Sequence, residues 1–286
     1  MGTAAPIRLR GPTVSPREQF SLLLPVYGRD DAALLRESFH STVSAQTRPP
    51  AQVVLVRDGP IPEALRRCVD ELAATSAVPV ARVDLTRHRG LGVALDAGLA
   101  ASDHDIVARM DADDVAVPHR FARQVPLVEA GADLVGSAML EFEGDPTRVV
   151  GLRTALVDED RIARRARFHD PFNHPTVVYR RSAVLDAGGY GDFPLMEDYR
   201  LFARMIANGA RSTNLAEPLV YYRVDTGAYA RRGGFALLRR ELQLQREFRR
   251  HRFTNRAQFL RNVLVRCGYR LVPERARRAS YRRIIA

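Results

Sequence analysis

Lysine is absent from this 286-residue chain, so all 44 basic residues are arginine. A Walker loop needs a lysine on the nucleotide phosphates, a pyridoxal enzyme needs one for its Schiff base, and a protein kinase needs one on its third strand; all three are excluded. Cysteine is nearly absent too. Cys68 and Cys267 lie far apart without metal-ligand spacing, which argues against a disulfide framework and for a reducing, cytoplasmic setting. No run of about 18 apolar residues occurs, and the first twenty residues carry no long apolar stretch, so neither a membrane span nor a secretory signal is expected. With 46% hydrophobic and 27% charged residues the chain has the balance of a folded protein, long enough for one large α/β domain or two small ones.

Charge is unevenly placed. From Arg231 onward 17 arginines face only Glu241, Glu247 and Glu274, a local charge of +14 that leaves −3 of the total +11 for residues 1–230. Within this tail Leu260, Leu264, Cys267 and Leu271 recur at three- and four-residue steps among Arg256, Arg261, Arg266 and Arg270, which predicts a basic amphipathic helix. Its apolar side either packs on the body or sinks into the headgroup boundary of an anionic membrane. A tail of this charge would also attract nucleic acid non-specifically, but without zinc-finger spacing or an RNP-like aromatic signature no specific nucleic acid is expected.

Residues 1–19 read as an aperiodic arm. The pattern then becomes regular: strands at Phe20 to Leu24, Gln52 to Val56, Val78 to Leu85 and Asp105 to Met110, with helices at Ala32 to Ala45, Pro62 to Ala74 and Gly92 to Ala101 between them. This alternation predicts an α/β fold with a parallel sheet and ligand sites at the carboxyl ends of its strands. Beyond residue 117 the reading is a helix from Pro118, a strand near Asp133 to Ser137, a helix near Asp158 to Arg167, a strand at Thr176 to Tyr179, a helix near Asp198 to Asn208 and a strand near Leu219 to Arg223. No internal repeat or low-complexity linker divides the two halves, 20–116 and 117–230, before the basic tail at 231–286.

Three polar clusters fall at element ends. Asp111, Asp113 and Asp114 crowd the turn after a buried strand, and such repulsion calls for a cation or many donors. A hard divalent ion, Mn2+ or Mg2+, suits it, because that ion keeps waters and substrate phosphates in its shell and needs only one or two carboxylates. A solvated acidic turn would look the same. Asp58, ahead of Gly59-Pro60, can accept a hydrogen bond from a nucleobase ring N–H, although Asp-Gly-Pro is also an ordinary turn. Glu197 and Asp198 open a helix, where the macrodipole favours acids in any case, but beside a metal-bound nucleotide one of them could be a general base. His174, in Asn173-His-Pro-Thr176, is the remaining polar candidate, of a kind more often structural than catalytic.

Taken in order, Leu24-Pro-Val-Tyr27, Val56-Arg-Asp-Gly59, Arg89-Gly-Leu-Gly-Val-Ala94, Met110-Asp-Ala-Asp-Asp114, His174-Pro-Thr176, Gly188-Gly-Tyr190, Glu197-Asp198 and Tyr221-Tyr-Arg-Val224 resemble glycosyltransferase family 2 over about residues 20–230. Arg231-Arg-Gly-Gly234 and the arginine-rich tail are similar to amylovoran-biosynthesis-type enzymes of bacterial exopolysaccharide assembly. The resemblance implies a Rossmann-like GT-A fold, a nucleotide-sugar donor, a divalent metal and inversion at the anomeric carbon; the base at Asp58 could be uracil, thymine or guanine, with a UDP-sugar favoured, and the tail with the subfamily likeness suggests a saccharide or lipid-linked saccharide acceptor and a peripheral place at the inner face of the plasma membrane. By position, Asp58 would hold the base, with Pro25 and Tyr27 lining the same pocket. Asp111 would lie near the ribose or a metal-bound water, Asp113 would coordinate the metal, Glu197 would contact substrate and Asp198 would be the catalytic base. The family often places a histidine shortly after Tyr-Arg, where this chain has Asp225, so the third protein ligand stays open and Arg223 is a candidate diphosphate contact. Leu95-Asp96 stands where Arg-Asn is common and receives no role. Two other readings compete: a haloacid-dehalogenase-like phosphatase using Asp111 and Asp113, which usually adds a lysine, and a nucleic-acid-binding protein using the tail.

Overall fold

The computed structural model describes residues 18–224 and 235–271. Most of the arm expected over residues 1–19, Asp225, Arg231 to Gly234 and the tail beyond Leu271 lie outside the described residues.

Buried apolar runs build the first half. Strands β1 (Phe20–Tyr27), β2 (Gln52–Asp58), β3 (Val80–Leu85) and β4 (Ile106–Arg109) pair in parallel in the order β3-β2-β1-β4. The chain therefore steps outward from β1 to β3 and returns to the opposite side of β1 for β4. That reversal opens a crevice beyond the carboxyl ends of β1 and β4, where ligands bind in open α/β sheets. Helices α1 (Ala32–Thr42), α2 (Glu63–Thr75) and α3 (Leu91–Ala100) make the crossovers. α1 begins where it does because the Asp31 carboxylate accepts from the Ala33 and Leu34 N–H groups at 2.8 and 3.2 Å, satisfying donors the helix leaves free.

Successive β1 side chains point to opposite faces, so Leu22, Leu24 and Val26 join a core under α1 and α2, whereas Leu23 joins a second core with Val54, Val56 and Leu95. Each such side chain contributes about 1.5–3 kcal/mol by leaving water. This double burial is why β1 and β2 read as continuous apolar runs.

The second half extends the same sheet. β8 (Val178–Arg180) pairs antiparallel with β4, followed by β6 (Leu134–Phe142), β9 (Ser212–Arg223) and the two-residue β5 (Val115–Ala116), while β7 (Val149–Arg153) folds back on β6. Helices α4 (Arg120–Glu129), α5 (Glu159–Ala166), α6 (Arg181–Asp186) and α7 (Glu197–Ala207) complete it. β9 is longer than the Leu219 to Arg223 expected. Its first half runs parallel to β6 but shifts register around Ala138, so Ser212 to Pro218 carries no clean alternation. β5, β7 and α6 were not expected from sequence; they are too short or too exposed to leave a periodic signal.

The tail differs from expectation in an instructive way. α8 (Phe235–Arg250) packs Leu237, Leu244 and Phe248 against Tyr199 and Ala203 of α7. α9 (Arg256–Asn262) then runs through a π turn at Val263–Cys267 into α10 (Gly268–Leu271). The expected apolar side of Leu260, Leu264 and Cys267 is split: Cys267 is buried, but Leu260, Leu264 and Val265 are 58%, 66% and 51% exposed. The i→i+5 turn inserts angular slack between Leu264 and Cys267, which an ideal 3.6-residue period would have kept on one side. Arginines face inward instead. Arg266 and Arg270 reach the fully buried Glu241 at 2.7 and 3.1 Å, and a second Arg266 nitrogen donates to the Phe168 carbonyl at 2.8 Å. Burial alone would raise Glu241, but the two guanidiniums outweigh it and hold its carboxyl below the usual value. No described helix is long and apolar enough to cross a membrane.

Candidate active site

Three strand ends converge at the crevice. Tyr27 closes β1, and Asp58, its register partner, closes β2. The Asp58 carboxylate accepts from the backbone N–H groups of Arg89 (2.6 Å) and Gly90 (2.9 Å) and lies 2.8 Å from His88 Nδ1. Gly59 makes this approach feasible: its φ is +84°, and a Cβ there would sit 2.4 Å from the His88 nitrogen. Asp58 therefore ties the loop ahead of α3 to β2, and the His88 ring it pairs with lies 5.9 Å from the half-exposed Tyr27 ring. Pro25 sits inside β1, opposite Val56.

At the end of β4 the charges are sorted. Arg109 is 1% exposed and grips both oxygens of Asp111, through Nη1 at 2.8 Å and through Nη2. Burial would lower this guanidinium, but the Asp111 charge outweighs it and raises it. Ser38 on α1 donates to the Asp111 carbonyl at 2.7 Å. Asp114 turns into the core, where one oxygen accepts the Arg223 N–H at 2.8 Å and the other has no hydrogen-bond partner among the described residues. Burial, then the charges of Asp111 and Asp113, push its carboxyl far up.

Asp113 is the most exposed of the three, ahead of the partly solvated Asp111. It stands in a recess of protein atoms that, with the Asp111 charge, pushes it up to about 6. Asp30, which the sequence reading did not single out, belongs to the same cluster: burial, with the charges of Asp113 and Asp111, pushes it to about 7 while the Tyr27 N–H donates to it at 2.8 Å. Arg223 donates to the Asp113 carbonyl at 2.9 Å, to the Gly144 carbonyl and to Glu37 at 2.6 Å, and lies 4.5 Å from the Phe142 ring. It thereby latches β9 onto the acidic turn.

The opposing wall is the start of α7. Glu197 is buried, and its Oε2 has no hydrogen-bond partner among the described residues; burial and the Asp198 charge push it to about 7. Asp198 is also raised, by burial, against its bond from the Tyr199 N–H at 2.7 Å. Arg109 lowers both carboxyls and Asp111 raises Asp198, so the two acidic groups share one electrostatic neighbourhood. The chain enters α7 through Leu195 at φ +77°, a left-handed conformation that costs a non-glycine residue about 1–2 kcal/mol. α3 packs against this wall so closely that a Cβ on Gly92 would lie 2.5 Å from the Gly191 carbonyl.

Two further residues gain places that spacing did not reveal. Asp96 accepts the Tyr190 and Gly191 N–H groups, both at 2.8 Å, and so clamps the Gly188-Gly-Tyr190 turn. His174 Nε2 lies 3.0 Å from the Tyr190 hydroxyl, and its Nδ1 lies 3.8 Å from Asp198. Burial and the Arg109 charge keep this imidazole neutral, far below the usual histidine value.

The family model for glycosyl transferase family 2 matches residues 21–189. The chain belongs to glycosyl transferase family 2. It is 37% identical over 89% of its length to an uncharacterized glycosyltransferase of Haemophilus influenzae, of which it covers 94%. It is 33% identical over 92% to the amylovoran biosynthesis glycosyltransferase AmsE of Erwinia amylovora, covering 97% of that protein. To the UDP-Gal:alpha-D-GlcNAc-diphosphoundecaprenol beta-1,3-galactosyltransferase of Escherichia coli it is 30% identical over 93%, covering 96%. Among solved structures, S. aureus TarS residues 1–349 in complex with UDP-GlcNAc superposes with a TM-score of 0.66 at 16% identity, covering 94% of this chain and 76% of that one. The mannosyltransferase PcManGT of Pyrobaculum calidifontis, solved with GDP-Man and Mn2+, gives 0.65 at 18%, with the same coverage. The fold is GT-A, and the protein is a glycosyltransferase; the phosphatase and nucleic-acid readings fall away.

Proposed function

We propose that this family 2 glycosyltransferase moves a sugar from a UDP-sugar donor to a hydroxyl of a lipid-linked saccharide in bacterial polysaccharide assembly, with inversion at the anomeric carbon. The observation that carries the reading is the division of carboxylates across one crevice: Asp111 and Asp113 at the end of β4, and Asp198, raised above its ordinary value, on the opposing wall. The activity of the Escherichia coli relative, a galactosyltransferase on a diphosphoundecaprenol-linked GlcNAc, supports a lipid-linked acceptor, and the donor in the TarS complex supports a UDP-sugar.

Asp58, with Pro25 and Tyr27, holds the nucleobase, and Asp111 stands by the ribose. Among the described residues no three His, Cys, Asp or Glu side chains gather closely enough to hold a metal by themselves. The neighbouring carboxylates of Asp111 and Asp113 suit Mn2+ or Mg2+, which takes one or two carboxylates and fills its shell with water and phosphate oxygens. Asp113 would hold the ion with Asp111 beside it, and the ion would offset charge developing on the departing diphosphate. Arg223 flanks the acidic turn and Glu197 flanks the base. Asp198 takes the acceptor hydroxyl proton as that oxygen bonds to the anomeric carbon; the carbon–oxygen bond to the diphosphate breaks and its electron pair leaves with the diphosphate. Attack from the face opposite the leaving group gives inversion.

The tail supplies the means of meeting a lipid acceptor. Arg256, Ala257, Leu260, Arg261, Leu264 and Val265 form one exposed stripe with apolar centre and arginine flanks, on a segment whose charge is +14, and this stripe lies on an anionic cytoplasmic leaflet. The testing experiment for the enzyme as a whole is calorimetry of UDP with and without Mn2+. Mn2+ should strengthen UDP binding at least about tenfold, and Asp113→Ala should remove that gain; equal binding with and without the ion, in the folded parent, contradicts the proposal.

A further inference from the structure

A cleft of about 300 Å³ between α7 and the second half of α8 holds more positive charge than its neighbours neutralise. Arg200 enters it from α7, and Gln243, Arg246, Glu247 and Arg250, three and four residues apart on one face of α8, enter it from the other side. His251 closes the end, because Arg252 adopts φ +60° and turns the chain out of the helix, with the Phe253 N–H bonding back to the Phe248 carbonyl at 2.9 Å. Among the described residues that line the cleft Glu247 is the one carboxylate, and it is already engaged: its two oxygens accept Arg200 Nε at 2.8 and 2.9 Å.

Donors are left over. Glu247 and the Phe193 ring, 5.0 Å from the guanidinium, hold Arg200 in place, yet neither of its Nη atoms has a hydrogen-bond partner among the described residues. Gln243 Oε1 accepts from Arg240 at 3.0 Å, which leaves the Gln243 amide N–H groups to donate. The side chains of Arg246, Arg250 and His251 have neither an ion pair nor a hydrogen bond among the described residues. Elsewhere the fold supplies carboxylates to exposed arginines, as Glu71 to Arg36 and Glu217 to Arg123. The macrodipole of α8 favours a cation such as Arg250 at its end, but it gives no reason for Arg200 and Arg246 to meet Arg250 around one space. Arg204, one turn further along α7, is held below the usual arginine value by burial and then by the Arg200 charge, although Glu247 and Asp96 act in the opposite direction. The local surplus is positive.

We propose that this cleft binds a phosphate group of a second ligand, at a site separate from the nucleotide crevice. A guanidinium fork matches carboxylate and phosphate alike. A carboxylate, however, brings two oxygens and one charge to three guanidiniums, an amide and an imidazole, whereas a phosphate monoester or a diphosphate brings more of both. The lining comes from α7, α8 and the turn after α8, so the donor half of the sheet takes no part in it. A lipid headgroup and a soluble phosphate compound present the same chemistry to these side chains.

The experiment titrates inorganic pyrophosphate into the full chain by calorimetry, without divalent metal and in about 0.15 M salt to screen the general attraction of the tail. Association with phosphatidylcholine vesicles containing phosphatidylglycerol is measured in parallel. Two variants lose the same charge: Arg246→Gln with Arg250→Gln in the cleft, and Arg161→Gln with Arg164→Gln on α5. All four side chains are exposed, so the fold is not at stake. The cleft variant should bind at least one of the two probes about tenfold or more weakly than the parent, while the α5 variant stays within about twofold for both. A loss with pyrophosphate shows that phosphate alone suffices; a loss confined to vesicles identifies a headgroup in the leaflet. Parent-like binding of both probes by the cleft variant, equal losses in the two variants, or a parent that binds neither probe overturns the proposal.

Discussion

The two walls of the crevice differ in the donors that the fold offers their carboxylates. On the β4 side Asp111 is gripped by a buried guanidinium and Asp58 by two backbone N–H groups, while burial and mutual repulsion push Asp113, Asp114 and Asp30 up. On the α7 side Glu197 has an oxygen with no hydrogen-bond partner among the described residues, Asp198 lies 3.8 Å from a neutral imidazole, and both are pushed toward the protonated form. One wall gives two of its carboxylates strong fixed donors; the other leaves its carboxyls with few, poised to accept a proton. A base needs that poise because an ordinary aspartate is too weak to deprotonate an alcohol except late in the reaction.

The largest break in this comparison should come from Asp198→Asn. It should lower kcat by about 1,000-fold while UDP affinity by calorimetry stays within a few-fold of the parent; turnover near the parent rate would put the base elsewhere. On the β4 wall the corresponding change is Arg109→Met, which leaves Asp111 without its cation. Denaturant unfolding should show a loss of about 3 kcal/mol, toward the low end for a broken buried pair because Asp111 is partly solvated. An unchanged midpoint would mean that the pair carries no stability.

The contrast also has a pH signature. Glu197 is raised from 4.5 to about 7, so the folded state binds its proton more tightly than the unfolded chain does. Its contribution is full below pH 4.5 and is lost as pH rises through about 7. Glu197→Gln should therefore gain melting temperature relative to the parent between pH 5 and pH 8, by a few degrees at the upper end, while a constant offset across that range would remove the burial explanation. The smallest effect on the fold, though not on location, belongs to the tail. Leu260→Ser with Leu264→Ser should leave the melting temperature unchanged, because both side chains already face water, yet weaken association with anionic liposomes about tenfold. Undiminished liposome association would return the tail to a packing role.

Much of the β4 wall was legible in the sequence because it sits on strand ends. A buried apolar run followed by Asp-Gly or Asp-x-Asp marks both the strand and the side chains that emerge from it, and the observed bounds of β1, β2 and β4 and of the three crossover helices lie within a few residues of expectation. Family resemblance supplied the roles. Arg109 was not legible as a partner: periodicity cannot tell an arginine buried at the end of a strand from one pointing to solvent, and its role depends on Asp111 folding back two residues later. Asp30 joins the acidic cluster only through the turn that starts α1, and Asp96 matters only because α3 lies against Gly191. The helical character of the tail is legible, but its single apolar side is not, since a π turn breaks the 3.6-residue count from which that side is inferred.

The most direct test is a crystal of the full chain grown with Mn2+ and UDP. The account predicts the ion on Asp113, shared with the diphosphate, the uracil at Asp58 and the Asp198 carboxylate facing the open side of the diphosphate. Nucleotide bound away from the end of β4, or an ion that leaves Asp113 unligated while the diphosphate is ordered, would contradict it.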